Sequence, residues 1–158
     1  MEAKGTAMTL GVKKIKDYGK MIKFSHTVFA LPFALSAVVL AWQSHEPSAW
    51  ELLYILAAMV GARSAAMGFN RIVDADIDKI NPRTAIREIP AGILSAKEAF
   101  LFVGISCLVF VGACAMLSLI CFLLSFPVLF VLFLYSYTKR FTPYCHLVLG
   151  FAISLAPL

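Results

Sequence analysis

The sequence predicts an all-α integral membrane protein, a bundle of transmembrane helices that forms a single membrane domain over residues 1–158. Of the 158 residues, 61% are hydrophobic and 15% are charged, whereas soluble domains average about 45–50% apolar and about 25% charged residues. No Asp, Glu, Lys or Arg stands between Ala99 and Tyr137, a run about twice the ~20 residues that cross a bilayer as one helix. A soluble chain of this length could not bury so much apolar surface.

The first half of the chain divides into a basic arm, two spans and a charged loop. Residues 1–23 are polar and rich in lysine, and we interpret them as a cytoplasmic arm. The apolar stretch over residues 24–42 is longer than the about 7–15 residues of a signal-peptide core, so it is predicted to be the first span. A short polar turn leads to a second span from Glu51 to Phe69, and residues 70–98 are predicted to form a cytoplasmic motif loop.

The second half is predicted to hold two further complete spans and the beginning of a fifth. The uncharged run that starts at Ala99 is long enough for two helices, so we expect it to turn back between Ser118 and Cys121. A polar loop from Thr138 to Cys145 follows. The apolar segment from His146 to Leu158 then begins the fifth span.

The distribution of lysine and arginine predicts how the bundle is oriented. The N-terminal arm, residues 70–98 and the loop after Thr138 carry basic residues, whereas the turns near Glu46 and Ser118 carry none. Cytoplasmic loops are enriched in Lys and Arg, so the arm and the motif loops are predicted to be cytoplasmic. We therefore expect a multi-pass protein of the bacterial inner membrane.

Asn70, Asp74 and Asp78 recur every four residues in the segment that follows the second span. If the helix continues through them, all three lie on one face, one turn apart. Two carboxylates at that spacing repel each other unless a positive charge lies between them. Mg²⁺ binds through one or two carboxylates, water and substrate phosphates, so these residues are candidate Mg²⁺ ligands. Asp76 would point away from this face.

Arginines follow at the same four-residue spacing. A short helix is predicted to begin after Asn81, with Pro82 at its first position, and it would place Arg83 and Arg87 on one face. Guanidinium groups match phosphate oxygens in bidentate geometry. The alternative is a solvated loop of mixed charge, which spacing alone does not exclude. Arg63, inside an otherwise apolar span, favours a functional site, because ionisable residues in spans are rare.

Three separated motifs resemble those of the UbiA superfamily of intramembrane prenyltransferases and together extend over nearly the whole chain. The first signature of that superfamily is an Asn, two Asp residues at four-residue steps, and an Arg-Thr-x-x-Arg element. Here it runs from Asn70 to Arg87 and includes Thr84, with Arg63 seven residues before the Asn. Residues 21–34, with Lys23, resemble the first helix of the family, and residues 135–142 resemble the approach to its fifth.

The sequence departs from the signature at two places. Arg71 stands where an Asp is common, and Glu88-Ile89 stands where Pro-Leu is common. The combination looks most like the branch that prenylates 4-hydroxybenzoate or related precursors of ubiquinone and menaquinone. The resemblance implies a bundle of roughly nine spanning helices, which satisfies its backbone hydrogen bonds within lipid, and this chain would be its N-terminal half. Family members carry a second Asp-rich motif in their latter half, so we expect the 158-residue chain to lack activity by itself.

The resemblance also implies a reaction, a cofactor and site residues. A polyprenyl group would pass from polyprenyl diphosphate to an aromatic acid acceptor such as 4-hydroxybenzoate, in quinone biosynthesis, with Mg²⁺ as the cofactor. Asn70, Asp74 and Asp78 would hold the metal, and Asp74 and Asp78 would be the catalytic residues. The candidate diphosphate-binding cations are Lys23, Arg63, Arg83, Arg87, Lys139 and Arg140. Membrane lipid would surround the site, and no nucleic-acid partner is predicted.

Other functions remain open. A small non-catalytic membrane protein could bind anionic lipid or a protein partner through its lysine-rich arm. Within the same superfamily, enzymes that prenylate haem, chlorophyll or archaeal lipid precursors share the motif. A transporter is less well supported, because no inverted repeat or broken span is evident in the sequence.

Overall fold

The computed structural model describes residues 14–23, 31–42, 46–138, 141, 147, 150 and 151. The regular structure in these residues is helical throughout, without a strand, so the predicted all-α fold is confirmed. In chain order the helices are α1 (residues 14–21), α2 (Leu31–Trp42), α3 (Ala49–Ile80), α4 (Ala96–Leu117) and α5 (Leu119–Thr138).

Three of these helices are long and apolar enough to cross a bilayer. α3 has 32 residues, α4 has 22 and α5 has 20, where a span needs about 20. Their outer surfaces expose large apolar side chains, for example Leu108 at 74% and Leu119 at 72%, as the lipid-facing side of a span does. The chain is therefore a multi-pass membrane protein. Of the predicted first span only Leu31–Trp42 is described, and most of the predicted fifth segment lies outside the described residues.

α3 is longer than predicted. We expected the second span to end at Phe69 and a loop to begin at Asn70, but the helix continues to Ile80. It ends where Asn81 adopts extended dihedral angles, φ −90° and ψ 116°, as the residue before a proline usually does. At 1.5 Å per residue, α3 is about 48 Å long, well beyond the ~30 Å hydrocarbon core. Its last turns, which carry the acidic motif, can therefore project past the apolar layer.

Local sequence signals fix where the long helices begin. Ser48 and Glu51 form a capping box at the start of α3, and Ser95 and Glu98 form one at the start of α4. A single residue, Ser118, separates α4 from α5. The predicted turn within the uncharged run is thus confirmed.

α3 and α4 pack closely and in opposite directions. A methyl group added at Gly61 would lie 2.9 Å from the backbone nitrogen of Phe110, and one added at Gly68 would lie 2.8 Å from a methyl group of Val103. Residue numbers therefore rise along α3 as they fall along α4, which defines an antiparallel pair. Glycine at position 61 permits this approach, as small residues do at other contacts between membrane helices.

α5 returns beside α3, so the polar ends of these helices meet at one end of the bundle. The ring of Phe69 lies 4.3 Å from the ring of Phe133, in the second half of α5. α1 lies at the same end, where Lys14 forms an ion pair with Glu98 in the first turn of α4. We call this region, which contains α1, residues 70–98 and the last turns of α5, the charged end.

Candidate active site at the charged end

The acidic motif lies on one face of α3, as the sequence predicts. Because the helix is continuous to Ile80, Asn70, Asp74 and Asp78 follow one another at intervals of one turn. Asp78 is only 6% exposed and Asp74 is half-buried, whereas Asp76 is exposed. The exposure of the three aspartates therefore agrees with Asp76 pointing away from the motif face.

Asp78 is held by an arginine from the loop that follows α3. The Arg87 Nη1 atom donates to both carboxylate oxygens of Asp78, at 2.7 and 2.6 Å. The hydroxyl of Thr84 donates to the backbone carbonyl of Asp78 at 3.1 Å. These contacts fold the loop back onto the end of α3 and set a guanidinium against a buried carboxylate. Burial of that carboxylate is tolerated because the countercharge is bonded to it directly.

The loop after α3 is a series of turns, so the prediction of a short helix after Asn81 is wrong. Its first turn does form, since the backbone nitrogens of Thr84 and Ala85 both donate to the Asn81 carbonyl at 2.9 Å. The helix does not propagate, and Gly92 with φ +73° turns the chain toward α4. As a result the two loop arginines do not share a face. Arg83 is exposed, while Arg87 is directed onto Asp78.

Arg71 is a site residue that the sequence reasoning did not identify. Its side chain is buried, with 7% exposure, and its Nε atom donates to the backbone carbonyl of Met21 at 3.1 Å. Met21 lies at the C-terminal end of α1, where unpaired carbonyls favour a nearby cation. Arg71 therefore links α1 to α3, the helix that carries the acidic motif. The signal in the sequence is a positive charge directly beside Asn70, at a position where the family commonly has Asp.

The remaining predicted cations occupy different surroundings. Lys23 is exposed just beyond α1 and has φ 49°, a left-handed conformation that is uncommon outside glycine. Arg63 is half-buried within α3, and among the described residues its buried Nε atom has no hydrogen-bond partner. Because Arg63 precedes Asn70 by about two turns, both lie on the same side of the helix. Lys139 and Arg140 lie outside the described residues.

The chemistry of the motif face fits a hard divalent cation. Asn70, Asp74 and Asp78 offer one amide oxygen and two carboxylates, the ligand type that Mg²⁺ prefers when water and substrate phosphate complete its shell. No group of three or more His, Cys, Asp or Glu side chains that could hold a metal occurs in the part of the chain that the structure describes. An ion at this face would therefore depend on non-protein ligands, and it would share the Asp78 carboxylate with Arg87.

Comparison with known proteins shows similarity to one family. The sequence matches the UbiA prenyltransferase family over residues 30–158. It is 34% identical to a protoheme IX farnesyltransferase of Methylobacterium radiotolerans, over 98% of this chain and 49% of that protein. It is 32% identical to a 4-hydroxybenzoate octaprenyltransferase of Vibrio vulnificus, over 93% of this chain and 52% of that protein.

A solved structure agrees with the sequence comparison. The apo structure of a UbiA homolog from Aeropyrum pernix K1 superposes with a TM-score of 0.78 and 35% sequence identity, over 84% of this chain and 48% of that one. The chain thus spans about half the length of the relatives that it matches.

Proposed function

Since the chain belongs to the UbiA prenyltransferase family, we propose that it binds the head group of a polyprenyl diphosphate and contributes to transfer of the prenyl group to an aromatic acceptor. The observation that carries the proposal is the continuity of α3 through the acidic motif, which brings Asn70, Asp74 and Asp78 to one face at the charged end. A plain solvated loop would not hold Asp78 at 6% exposure against Arg87.

In this proposal the metal is Mg²⁺, and Asn70, Asp74 and Asp78 hold it. When bound, Mg²⁺ offsets the negative charge that grows on the departing diphosphate. Asp74 and Asp78 are the essential carboxylates, and Arg87 holds the buried one in place through two hydrogen bonds. The Nε atom of Arg63, within the span and next to the motif face, is a donor without a hydrogen-bond partner among the residues that the structure describes.

Further cations complete the proposed diphosphate site. They are Lys23, Arg83, Lys139 and Arg140, from three different segments of the chain. Cations fixed in advance stabilise charge that develops in the transition state, because they need no rearrangement when the leaving group departs. The apolar faces of the spans would shelter the isoprenoid chain and exclude water from the reactive carbon.

We propose 4-hydroxybenzoate or a similar aromatic acid as the acceptor, with the charged end facing the cytoplasm of a bacterial inner membrane. The names of several relatives support that acceptor. Protohaem is the second candidate, because the relative named as a protoheme farnesyltransferase matches over 98% of this chain. The basic residues at the charged end support the orientation.

A transfer assay tests the proposal. The chain is fused to the part of the Vibrio vulnificus relative that it does not match, and the chimera is incubated with a prenyl diphosphate, Mg²⁺ and either acceptor. We expect prenylated 4-hydroxybenzoate, with a loss of at least about a hundredfold on Asp74→Asn and little change on Asp76→Asn. Prenylated protohaem alone would favour the second acceptor. Equal activity of the two variants would contradict the proposed role of Asp74.

A further inference from the structure

An apolar cavity of about 580 Å³, more open than enclosed, lies beneath α1 and against α3 and α4. The volume falls within the about 300–1,000 Å³ that is usual for pockets that take small ligands. Its lining includes Tyr18 and Gly19 of α1, Ile22 directly after α1, Gly61 of α3, and Ile105 and Val109 of α4. We call this cavity the α1 pocket.

The α1 pocket lies further from the charged end than the acidic motif does. Its lining residues on α3, Val60, Gly61 and Ser64, precede Asn70 by six to ten residues, or about 9–15 Å along the helix, and lie on the side of α3 next to the motif face. Asp74 lies about one turn further along.

The shape of the pocket suits an extended hydrocarbon chain. α1 forms its roof at the charged end, and the stacked rings of Tyr18 and Phe102, 5.1 Å apart, join that roof to α4. From Phe102 to Val109, α4 runs about 10 Å away from the charged end. A hydrocarbon chain in the pocket would therefore point into the membrane, with its polar end beside α1.

α1 carries positive charge at the side where that polar end would lie. Lys16 and Lys20 are exposed and one turn apart, next to the apolar stripe that faces the pocket. Ile15 also lines the pocket yet remains 71% exposed. A helix with a basic stripe beside an apolar one is typical of segments that lie in the membrane interface and bind anionic lipids.

Contacts at both ends of α1 hold this helix over the pocket. Arg71 bonds the Met21 carbonyl at the end of α1, and Lys14 pairs with Glu98 at its start. The hydrogen bond to Glu98 raises the pKa of Lys14 and engages that ammonium group. Lys16 and Lys20 are thus the lysines on the described part of α1 that are best placed for a ligand.

We propose that the α1 pocket binds one acyl chain of an anionic phospholipid, whose head group is held by Lys16 and Lys20. The apolar lining accounts for the acyl chain, and the basic stripe selects a negatively charged head group. Such a lipid would hold α1 against α3 and α4. This site is additional to the proposed prenyl-transfer function and does not depend on it.

The test is native mass spectrometry of the protein purified in detergent, with phosphatidylglycerol or phosphatidylcholine of the same acyl chains added. We expect a bound phosphatidylglycerol that survives detergent removal and little bound phosphatidylcholine. Gly19→Phe adds a large side chain at a lining position of the pocket, where a Cβ atom would meet nothing within 4 Å. It should reduce bound phosphatidylglycerol by about tenfold or more, since the acyl chain loses its apolar contacts.

Matched controls separate the pocket from general effects of substitution. Gly104→Phe places the same side chain on α4 at a site that is equally open but outside the pocket lining, and it should leave lipid binding within about twofold. The double substitution Lys16→Gln and Lys20→Gln should lower the preference for the anionic lipid by about 25-fold, at about fivefold per lysine. Replacing the exposed Lys97 with Gln should leave the preference for the anionic lipid unchanged.

Three results would overturn the proposal. Equal binding of the two phospholipids would show unselective lipid contact. Equal effects of Gly19→Phe and Gly104→Phe would place the lipid outside the pocket. Displacement of bound phosphatidylglycerol by farnesyl diphosphate in a strict one-for-one exchange would assign the pocket to the prenyl substrate. If Gly19→Phe does not fold, the lysine variants and the displacement experiment still decide between these outcomes.

Discussion

Asp78 and Arg87 form an ion pair, and removing Arg87 should destabilise the protein more than removing the charge of Asp78. Arg87 Nη1 bonds both oxygens of the Asp78 carboxylate, at 2.7 and 2.6 Å. The Asp78 side chain is 8% exposed, while that of Arg87 is 29% exposed. Arg87→Gln therefore leaves a buried carboxylate without its countercharge. Asp78→Asn leaves a guanidinium that already reaches the surface.

The exposures set the expected magnitudes. Removing one partner of a fully buried ion pair costs about 3–5 kcal/mol, and hydrogen bonds to charged groups are worth about 1.5–3 kcal/mol. Because Arg87 is partly exposed, we expect Arg87→Gln to lower the free energy of unfolding by about 2–3 kcal/mol. Asp78→Asn should lower it by about 1–2 kcal/mol. The double variant should lose less free energy of unfolding than the two single variants lose together, and the difference, the coupling energy, should be about 1 kcal/mol or more.

The assay is reversible unfolding of the purified protein in detergent with increasing denaturant, followed by circular dichroism. Arg83→Gln is the matched control, because it removes the same charge from an exposed position in the same loop and should change stability by less than about 0.5 kcal/mol. Equal effects of Arg87→Gln and Arg83→Gln, or strict additivity in the double variant, would refute the reasoning.

Three further outcomes follow from the packing and the charge distribution. Gly61→Ala should lower the free energy of unfolding by about 1–3 kcal/mol, because its methyl group would press on the α4 backbone. Gly112→Ala, at an open site, should leave the free energy of unfolding unchanged. Equal effects would contradict the close approach of α3 and α4. Arg71→Met should free the end of α1, so hydrogen exchange of residues 14–23 should accelerate while that of α4 stays slow; unchanged exchange would show that the bond to the Met21 carbonyl does not hold α1. Single cysteines at Lys97 and Glu46 should react with impermeant reagents from opposite sides of the membrane, with Lys97 on the cytoplasmic side, and labelling of both from one side would contradict the topology.

The sequence was sufficient for the long helices because their determinants are local and strong. The run without charge from Ala99 to Tyr137 can satisfy its backbone in lipid only as helices, and its length required a turn, which lies at Ser118. The four-residue spacing of Asn70, Asp74 and Asp78 likewise predicted a shared face, given a continuous helix. The end of that helix differs from the predicted one because the backbone restriction before Pro82, and not the first charged residues, sets it.

The loop and the N-terminal contact depend on partners that are distant along the chain. Asn81 and Pro82 are good signals for a helix start, but a helix confined between Pro82 and Pro90 would be too short to be stable alone. The ion pair between Arg87 and Asp78 favours turns instead. Arg71 meets Met21 across fifty positions of sequence, and spacing within a single motif cannot reveal such a pair.

Binding of a prenyl diphosphate to the motif face is the most direct test of the central claim. Isothermal titration of the purified protein in detergent with farnesyl diphosphate, in Mg²⁺ and in EDTA, would compare the unsubstituted chain with Asp74→Asn and Asp76→Asn. We expect binding that requires Mg²⁺, weakens by about 10- to 100-fold in Asp74→Asn and is unchanged in Asp76→Asn. Binding that persists in EDTA, or equal losses in the two variants, would contradict the claim that this face of α3 holds the metal and the diphosphate.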